Sequence, residues 1–331
     1  MQTWKNFARK ALVIASSVGC ATLWGSPAAL AAWPEKPITF VVGYAPGGSV
    51  DAVARLVSTQ LSKKLGQPIV IENLAGAGGS IGAARVVRSA PDGFTFLIGS
   101  GSEVAIAWAV NPNIKYNGLT NLAPVGLIAK SPMVLVGNKD VPATDLKGLM
   151  QYSKANKGKL SLATSGIGTP QHLLLEYINR KTSADILHVP YRASASIVQD
   201  VIGDRVNLSI LTLSTAQPFI ESGQLRAYAV TGDKPAAALP NLPTLSQVET
   251  LKNDSFDLWF GILAPAGVAA STIDRVNREL NDVLAQPEVR VALAKQGMEV
   301  AAGSPAQFGA YIKADAGKYQ KIIKDAGIVV N

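Results

Sequence analysis

Three times in this chain an apolar run, β-branched in the first two, ends in a glycine-rich turn that opens directly into a helical pattern. The first run is Ile38-Thr39-Phe40-Val41-Val42, followed by the turn Tyr44-Ala45-Pro46-Gly47-Gly48-Ser49. Beyond it Val50, Val53, Leu56, Val57 and Leu61 mark one helical face. Ile69-Val70-Ile71 leads in the same way into Gly76-Ala77-Gly78-Gly79-Ser80-Ile81-Gly82 and a helix through Val87. Leu160-Ser161-Leu162-Ala163 runs into Thr164-Ser165-Gly166-Ile167-Gly168-Thr169, and Pro170 begins a long helix. A strand that hands its chain to a helix pairs with its successor through a crossover, so the repeated unit predicts α/β layers with parallel sheets.

Further strands are expected at 94–98, 132–136, 187–189, 206–210 and 225–230, with a linker-like stretch after Pro240 and Pro243. Toward the end, Ser271 is expected to cap a helix. Pro287 opens another that Gly297 closes, and Ser304-Pro305-Ala306-Gln307 reads as a capping box. The chain's 331 residues correspond to two domains. With 48% hydrophobic and 16% charged residues, intrinsic disorder is excluded.

The first thirty-odd residues have a different character. Lys5, Arg9 and Lys10 precede the short apolar run from Ala11, and Ala29-Leu30-Ala31 supplies small residues for cleavage. This is the pattern of a secretory signal peptide over residues 1–31. A membrane-spanning helix needs about 18–20 apolar residues, and Ser16, Ser17, Gly19 and Gly25 interrupt this one. The only cysteine, Cys20, lies inside the segment; a lipoprotein cleaved before it is the rival reading, with Ser17 where an aliphatic residue usually stands. The net charge of +8 loses three basic residues with the leader, and the remainder carries no dense basic block of the kind that binds nucleic acid. The expectation is an exported protein, not membrane-embedded, that relies on its core without disulfides.

The turn Tyr44–Ser49 places glycines and a helix N-terminus together, an arrangement that binds anions and equally serves as an ordinary tight turn. Asp51 fits the first helical turn by complementing its dipole, and would partly oppose an anionic ligand. The turn Gly76–Gly82 matches only a loosened dinucleotide fingerprint, with Ile81 where a glycine belongs, so no cofactor is expected. Ser165–Thr169 is a second anion-friendly turn in the other half of the chain. Catalytic and metal constellations are poorly supported. His172 and His188 are the only histidines and lie in different elements, and no nucleophile elbow, P-loop or zinc motif occurs. An enzyme is therefore not expected.

Trp33-Pro34-Glu35-Lys36-Pro37-Ile38 and Val42-Gly43-Tyr44-Ala45-Pro46-Gly47-Gly48, with Asp51, Ala54 and Arg55, resemble the start of the mature tripartite tricarboxylate transporter receptors, the Bug family of extracytoplasmic solute-binding proteins. The likeness continues through Val70-Ile71-Glu72-Asn73, Ala90-Pro91-Asp92-Gly93, Val189-Pro190-Tyr191-Arg192 and Trp259 to Gly267. It implies a two-lobed, type II-like Venus-flytrap α/β protein with its ligand between the lobes. One lobe would comprise residues 32–133 plus 252–331 and the other 134–251. The implied function is a monomeric periplasmic receptor for a small di-, tri- or aromatic carboxylate that delivers it to the transporter's membrane subunits. A periplasmic sensor for a membrane signalling partner is the alternative.

The ligand set expected in the first lobe is Tyr44, Ala45, Pro46, Gly47, Gly48 and Ser49, with Ser80 and Ser100. In the second it is Ser165, Gly166, Gly168, Thr169 and His172, with Arg192 and Ser194. The segment Arg192-Ala193-Ser194-Ala195-Ser196 departs from the family's glycine-rich pattern; Arg192 is a candidate partner for a second carboxylate, with an exposed surface arginine the somewhat favoured alternative.

Overall fold

The computed structural model describes residues 33–191, 194–251 and 256–328; the expected leader, residues 1–31, and Arg192 lie outside them. In chain order the strands are β1 (Ile38–Val42), β2 (Ile69–Asn73), β3 (Thr95–Ser100), β4 (Leu122–Ser131), β5 (Met133–Gly137), β6 (Ser161–Thr164), β7 (Leu187–Pro190), β8 (Leu208–Thr212), β9 (Arg226–Val230), β10 (Leu258–Pro265) and β11 (Glu299–Val300). The helices are α1 (Ser49–Leu65), α2 (Ser80–Val87), α3 (Ala107–Val110), α4 (Leu146–Ala155), α5 (Pro170–Thr182), α6 (Ser194–Ile202), α7 (Leu213–Glu221), α8 (Ala270–Leu284), α9 (Pro287–Lys295) and α10 (Pro305–Ala326).

Two sheets result, ordered β11-β4-β10-β3-β1-β2 and β7-β6-β8-β5-β9. In the first, β1 lies between β2 and β3 and is parallel to both, because α1 and α2 carry the chain across. In the second, β6 is likewise parallel to β7 and β8. The expectation of parallel layers holds for these strands and fails for β5, β10 and β11, which run antiparallel to their neighbours. The reason is the crossover. β4 passes into β5 through Pro132 alone, so the fourth strand of one sheet continues as the reversed strand of the other.

β4 itself went unmarked by sequence pattern, because Pro124 and Gly126 interrupt its alternation. Pro124 pairs where the register with β10 shifts, and a Cβ at Gly126 would lie 2.7 Å from Leu280 Cδ2. Capping mostly follows the sequence. Ser304 and Gln307 form the capping box of α10, and Pro287 opens α9. Ser271 is the exception. α8 begins at Ala270, two residues before a Ser271 cap would start it, and Ala269 is its N-cap, accepting from Thr272 and Ile273 through its carbonyl. The linker-like stretch holds two short 3-10 turns that bury Leu245 and Leu251.

α10 ties the sheets together. Its Phe308 and Ile312 pack with Val41, Leu97 and Trp259 against the first sheet. Further along, Tyr319 and Ile322 join Leu173, Tyr177 and Phe256 in the core of the second. Trp259 Nε1 donates to the buried Asp315 at 2.8 Å where the helix crosses. Among the described residues no helix is long and apolar enough to cross a membrane.

Candidate functional site

Strand register fixes where the glycine-rich turns lie. Ser100, at the carboxyl end of β3, pairs with Phe260, which faces Ala129, two residues before the end of β4. At the carboxyl end of β8, Thr212 pairs with Met133, the first residue of β5. Both carboxyl edges therefore adjoin the Ser131–Met133 crossover. In each sheet the neighbouring helices part between the first and third strands, β1 and β3 in one, β6 and β8 in the other. Ligands of open α/β sheets bind at such switch points.

The first turn stands on buried carboxylates. Asp51, 2% exposed, accepts from Gly47 N–H, from Arg55 Nε and Nη2, and from Asn73 Nδ2, each at 2.9 Å. Asn73 Nδ2 also reaches the Tyr44 carbonyl. The Arg55 hydrogen bonds, foremost, hold Asp51 down to about 2. Gly47 N–H and the dipole of α1 are thus already answered by a carboxylate of the same turn. Even so, Gly48 is an N-cap without a side chain, and the first helical hydrogen bond runs from Ala52 to Gly48. The N–H groups of Ser49, Val50 and Asp51 have no protein acceptor among the described residues. Ala45, Pro46, Gly47 and Gly48 are exposed.

Beneath them the Tyr44 hydroxyl donates to Glu103 Oε2 at 2.7 Å. Glu103 is fully buried and also accepts from the Ser100 amide and hydroxyl, both at 2.7 Å. Burial pushes Glu103 up to about 7, against the pull of these hydrogen bonds. Burial, then the Glu103 charge, raises Tyr44 well above the usual phenol range. Ser100 is thus turned to the carboxylate, and Ser80 donates to the Ala77 carbonyl at 2.8 Å. The glycines of the second turn serve packing. A Cβ on Gly43 would lie 2.7 Å from Gly79 Cα, and one on Gly82 would lie 2.7 Å from Gly43 Cα. The close approach that a dinucleotide motif uses for phosphate is here made by backbone.

The turn at 165–169 is more self-contained. Gly166 and Gly168 hold φ values of 129° and 76°, with Ile167 displayed between them. Thr169 caps α5, accepting from His172 N–H while its hydroxyl donates to the Gly166 carbonyl at 2.8 Å. Gly168 N–H donates to His172 Nδ1 at 3.1 Å, and Gly166 N–H to Thr164 Oγ1 at 3.3 Å. Ser165 donates to Gln171 at 3.4 Å. Among the described residues, the N–H groups of Ile167 and Thr169 have no protein acceptor. Ser194 opens α6 after the Arg192 segment.

Sequence reasoning did not anticipate Glu103, the meeting of His172 with His188, or the hydroxyls Thr212, Ser214 and Thr215 at the carboxyl end of β8. Glu103 is a lone acid heading the apolar Val104-Ala105-Ile106, which signals burial. The hydroxyl cluster, with Thr212 and Thr215 oxygens 2.8 Å apart, follows a strand without any glycine and so escaped a search for glycine-rich turns. A cavity of about 800 Å³ lies elsewhere, between α4, the C-terminal end of α5 and residues 243–250. The length of α5 puts it about 20 Å from the 165–169 turn, so volume and site geometry point to different places. The turns are the better candidates, because unpaired amides gather there.

Residues 53–328 match the family model described as tripartite tricarboxylate transporter family receptor. Protein BugT of Bordetella pertussis is 32% identical over 323 residues, covering 97% of this chain and 98% of BugT. A Rhodopseudomonas palustris protein solved with adipate is 32% identical with a TM-score of 0.80, covering 90% of this chain and 99% of its own. MatC from Rhodopseudomonas palustris, with bound malate, is 28% identical with a TM-score of 0.76, covering 88% and 99%. The fold is that of the two-lobed periplasmic solute-binding proteins, and the chain belongs to the tripartite tricarboxylate transporter receptor family.

Proposed function

We propose that this protein is a periplasmic receptor that captures a small carboxylate between its two lobes and delivers it to the membrane subunits of a tripartite tricarboxylate transporter. The observation that carries this reading is the uncapped first turn of α1, at a carboxyl edge that shares its crossover with the carboxyl edge of the second sheet. Unpaired amides at a helix N-terminus favour an anion. Adipate and malate, held by two similar proteins, are both dicarboxylates, which supports this class of ligand. One carboxylate would meet the Ser49–Asp51 amides and the other the Ile167 and Thr169 amides; Arg192, outside the described residues, is a further candidate partner for the second carboxylate.

On this reading the lobes are residues 32–133 with 252–331, and 134–251, moving about the crossover. The chain is exported, cut after Ala31, and binds as a monomer without turnover. A thermal-shift screen of linear dicarboxylates, citrate, aromatic carboxylates and amino acids tests it. A true ligand at 100 Kd raises native stability by about 2.7 kcal/mol. Stabilisation by neutral solutes alone would overturn the carboxylate reading.

A further inference from the structure

His172 on α5 and His188 on β7 stack face to face, with ring centroids 4.0 Å apart and planes inclined by 17°. Each ring is bonded into the segment that forms the second turn. His172 Nδ1 accepts the Gly168 N–H at 3.1 Å. A nitrogen that accepts carries no proton, so the ring's proton is at Nε2, 3.7 Å from Glu176 Oε1. His188 Nε2 lies 2.6 Å from Thr164 Oγ1, and that hydroxyl contacts both the N–H and the carbonyl of Gly166. The turn therefore rests on two imidazoles, and one of its amides needs an uncharged ring beneath it.

We propose that His172 and His188 are positioning residues that hold the 165–169 turn only while His172 is neutral, so that a proton taken up by the pair releases the Gly168 amide and remodels the turn. Protonation at Nδ1 converts the acceptor into a donor and sets two N–H groups against each other. Two rings stacked this closely resist being charged together. Burial, then the His172 charge, holds His188 down to about 4. Glu176, on α5, lies 3.7 Å from Nε2, and the His172 ring, foremost, keeps Glu176 below the usual carboxylate range. Among the described residues, Glu176 and His188 are the titratable groups that contact His172, and Arg180 acts in turn on Glu176. That this remodelling alters ligand capture rests on the receptor reading above, whereas the change in the turn does not.

The test needs no ligand. Amide spectra of the full mature chain, labelled with ¹⁵N at glycine and histidine, are followed from pH 8 to pH 5. The Gly168 amide should shift with the same midpoint as the His172 ring nitrogens. In His172→Asn, Oδ1 stands where Nδ1 accepts and cannot be protonated in this range, so Gly168 should keep its neutral-pH position throughout. In His172→Leu it should be displaced at every pH, and if that variant does not fold, His172→Asn alone decides. A Gly168 amide that stays still while His172 titrates, or moves equally in His172→Asn, overturns the proposal. Failure of every carboxylate to bind would sink the receptor reading and leave these spectra unchanged.

Discussion

Tyr44–Ser49 and Ser165–Thr169 occupy matching positions in the two sheets, yet one is held by acids and the other by imidazoles. Asp51 and Glu103 support the first through Gly47 and Tyr44, whereas His172 and His188 support the second through Gly168 and Thr164. The first leaves its helix N-terminus uncapped, while the second caps its own with Thr169. Glu103 and His188, one beneath each turn, respond to pH with opposite sign, whereas the lowered Asp51 has the sign of His188. Glu103 is raised from its ordinary 4.5 to about 7, so the stability it confers is full below about 4.5 and lost as pH rises through 7. His188 is lowered from 6.5 to about 4, so its contribution is full above 6.5 and lost as pH falls through 4.

The contrast is easiest to break at the base of the first turn. Gly43→Ala drives a Cβ into the Gly79 backbone, and denaturant unfolding should show a loss above about 3 kcal/mol. Gly166→Ala meets no atom closer than 3.9 Å and suffers only from its φ of 129°, which should cost about 1–3 kcal/mol.

Glu103→Gln comes next, as a permanently neutral side chain of the same shape. Relative to wild type it should gain up to about 3 kcal/mol between pH 5 and pH 8, since only the wild type ionises a buried group there. Parallel stability curves for the two proteins would remove Glu103 from the account. His188→Gln should show the opposite sign, gaining on wild type as pH falls from 7.5 to 5. The ring is half-exposed, so solvent screening limits the gain to about 1 kcal/mol. Smallest is Thr169→Ala, which removes the α5 cap and should lower stability by about 1 kcal/mol, read as a shift in the unfolding midpoint.

The strands β1 to β3 and β5 to β9, the helices α1, α2 and α5 and both turns were legible because they rest on local chemistry: apolar runs, glycines and capping residues. Pro170 and the Ser304–Gln307 box announce helix starts with no help from the rest of the fold. β4 was hidden because its Pro124 and Gly126 answer to β10 and Leu280, partners far away in sequence. The site shows the same division. Amides of the turns follow from a strand-to-helix junction, but the groups that hold those turns, Glu103, Asn73 and His188, come from other elements. Asp51 read locally as a dipole complement is in fact the hub that joins Gly47, Arg55 and Asn73.

On the proposed function, one ligand is held from both carboxyl edges at once. Such a ligand binds the closed form more tightly than the open one, and only that difference can shift the equilibrium. Small-angle X-ray scattering on the mature chain, with and without a saturating amount of the strongest carboxylate from the screen, measures this directly. The radius of gyration should fall on binding. An unchanged profile, with calorimetry on the same sample proving saturation, would contradict it and place the ligand on one lobe or in a cleft already closed.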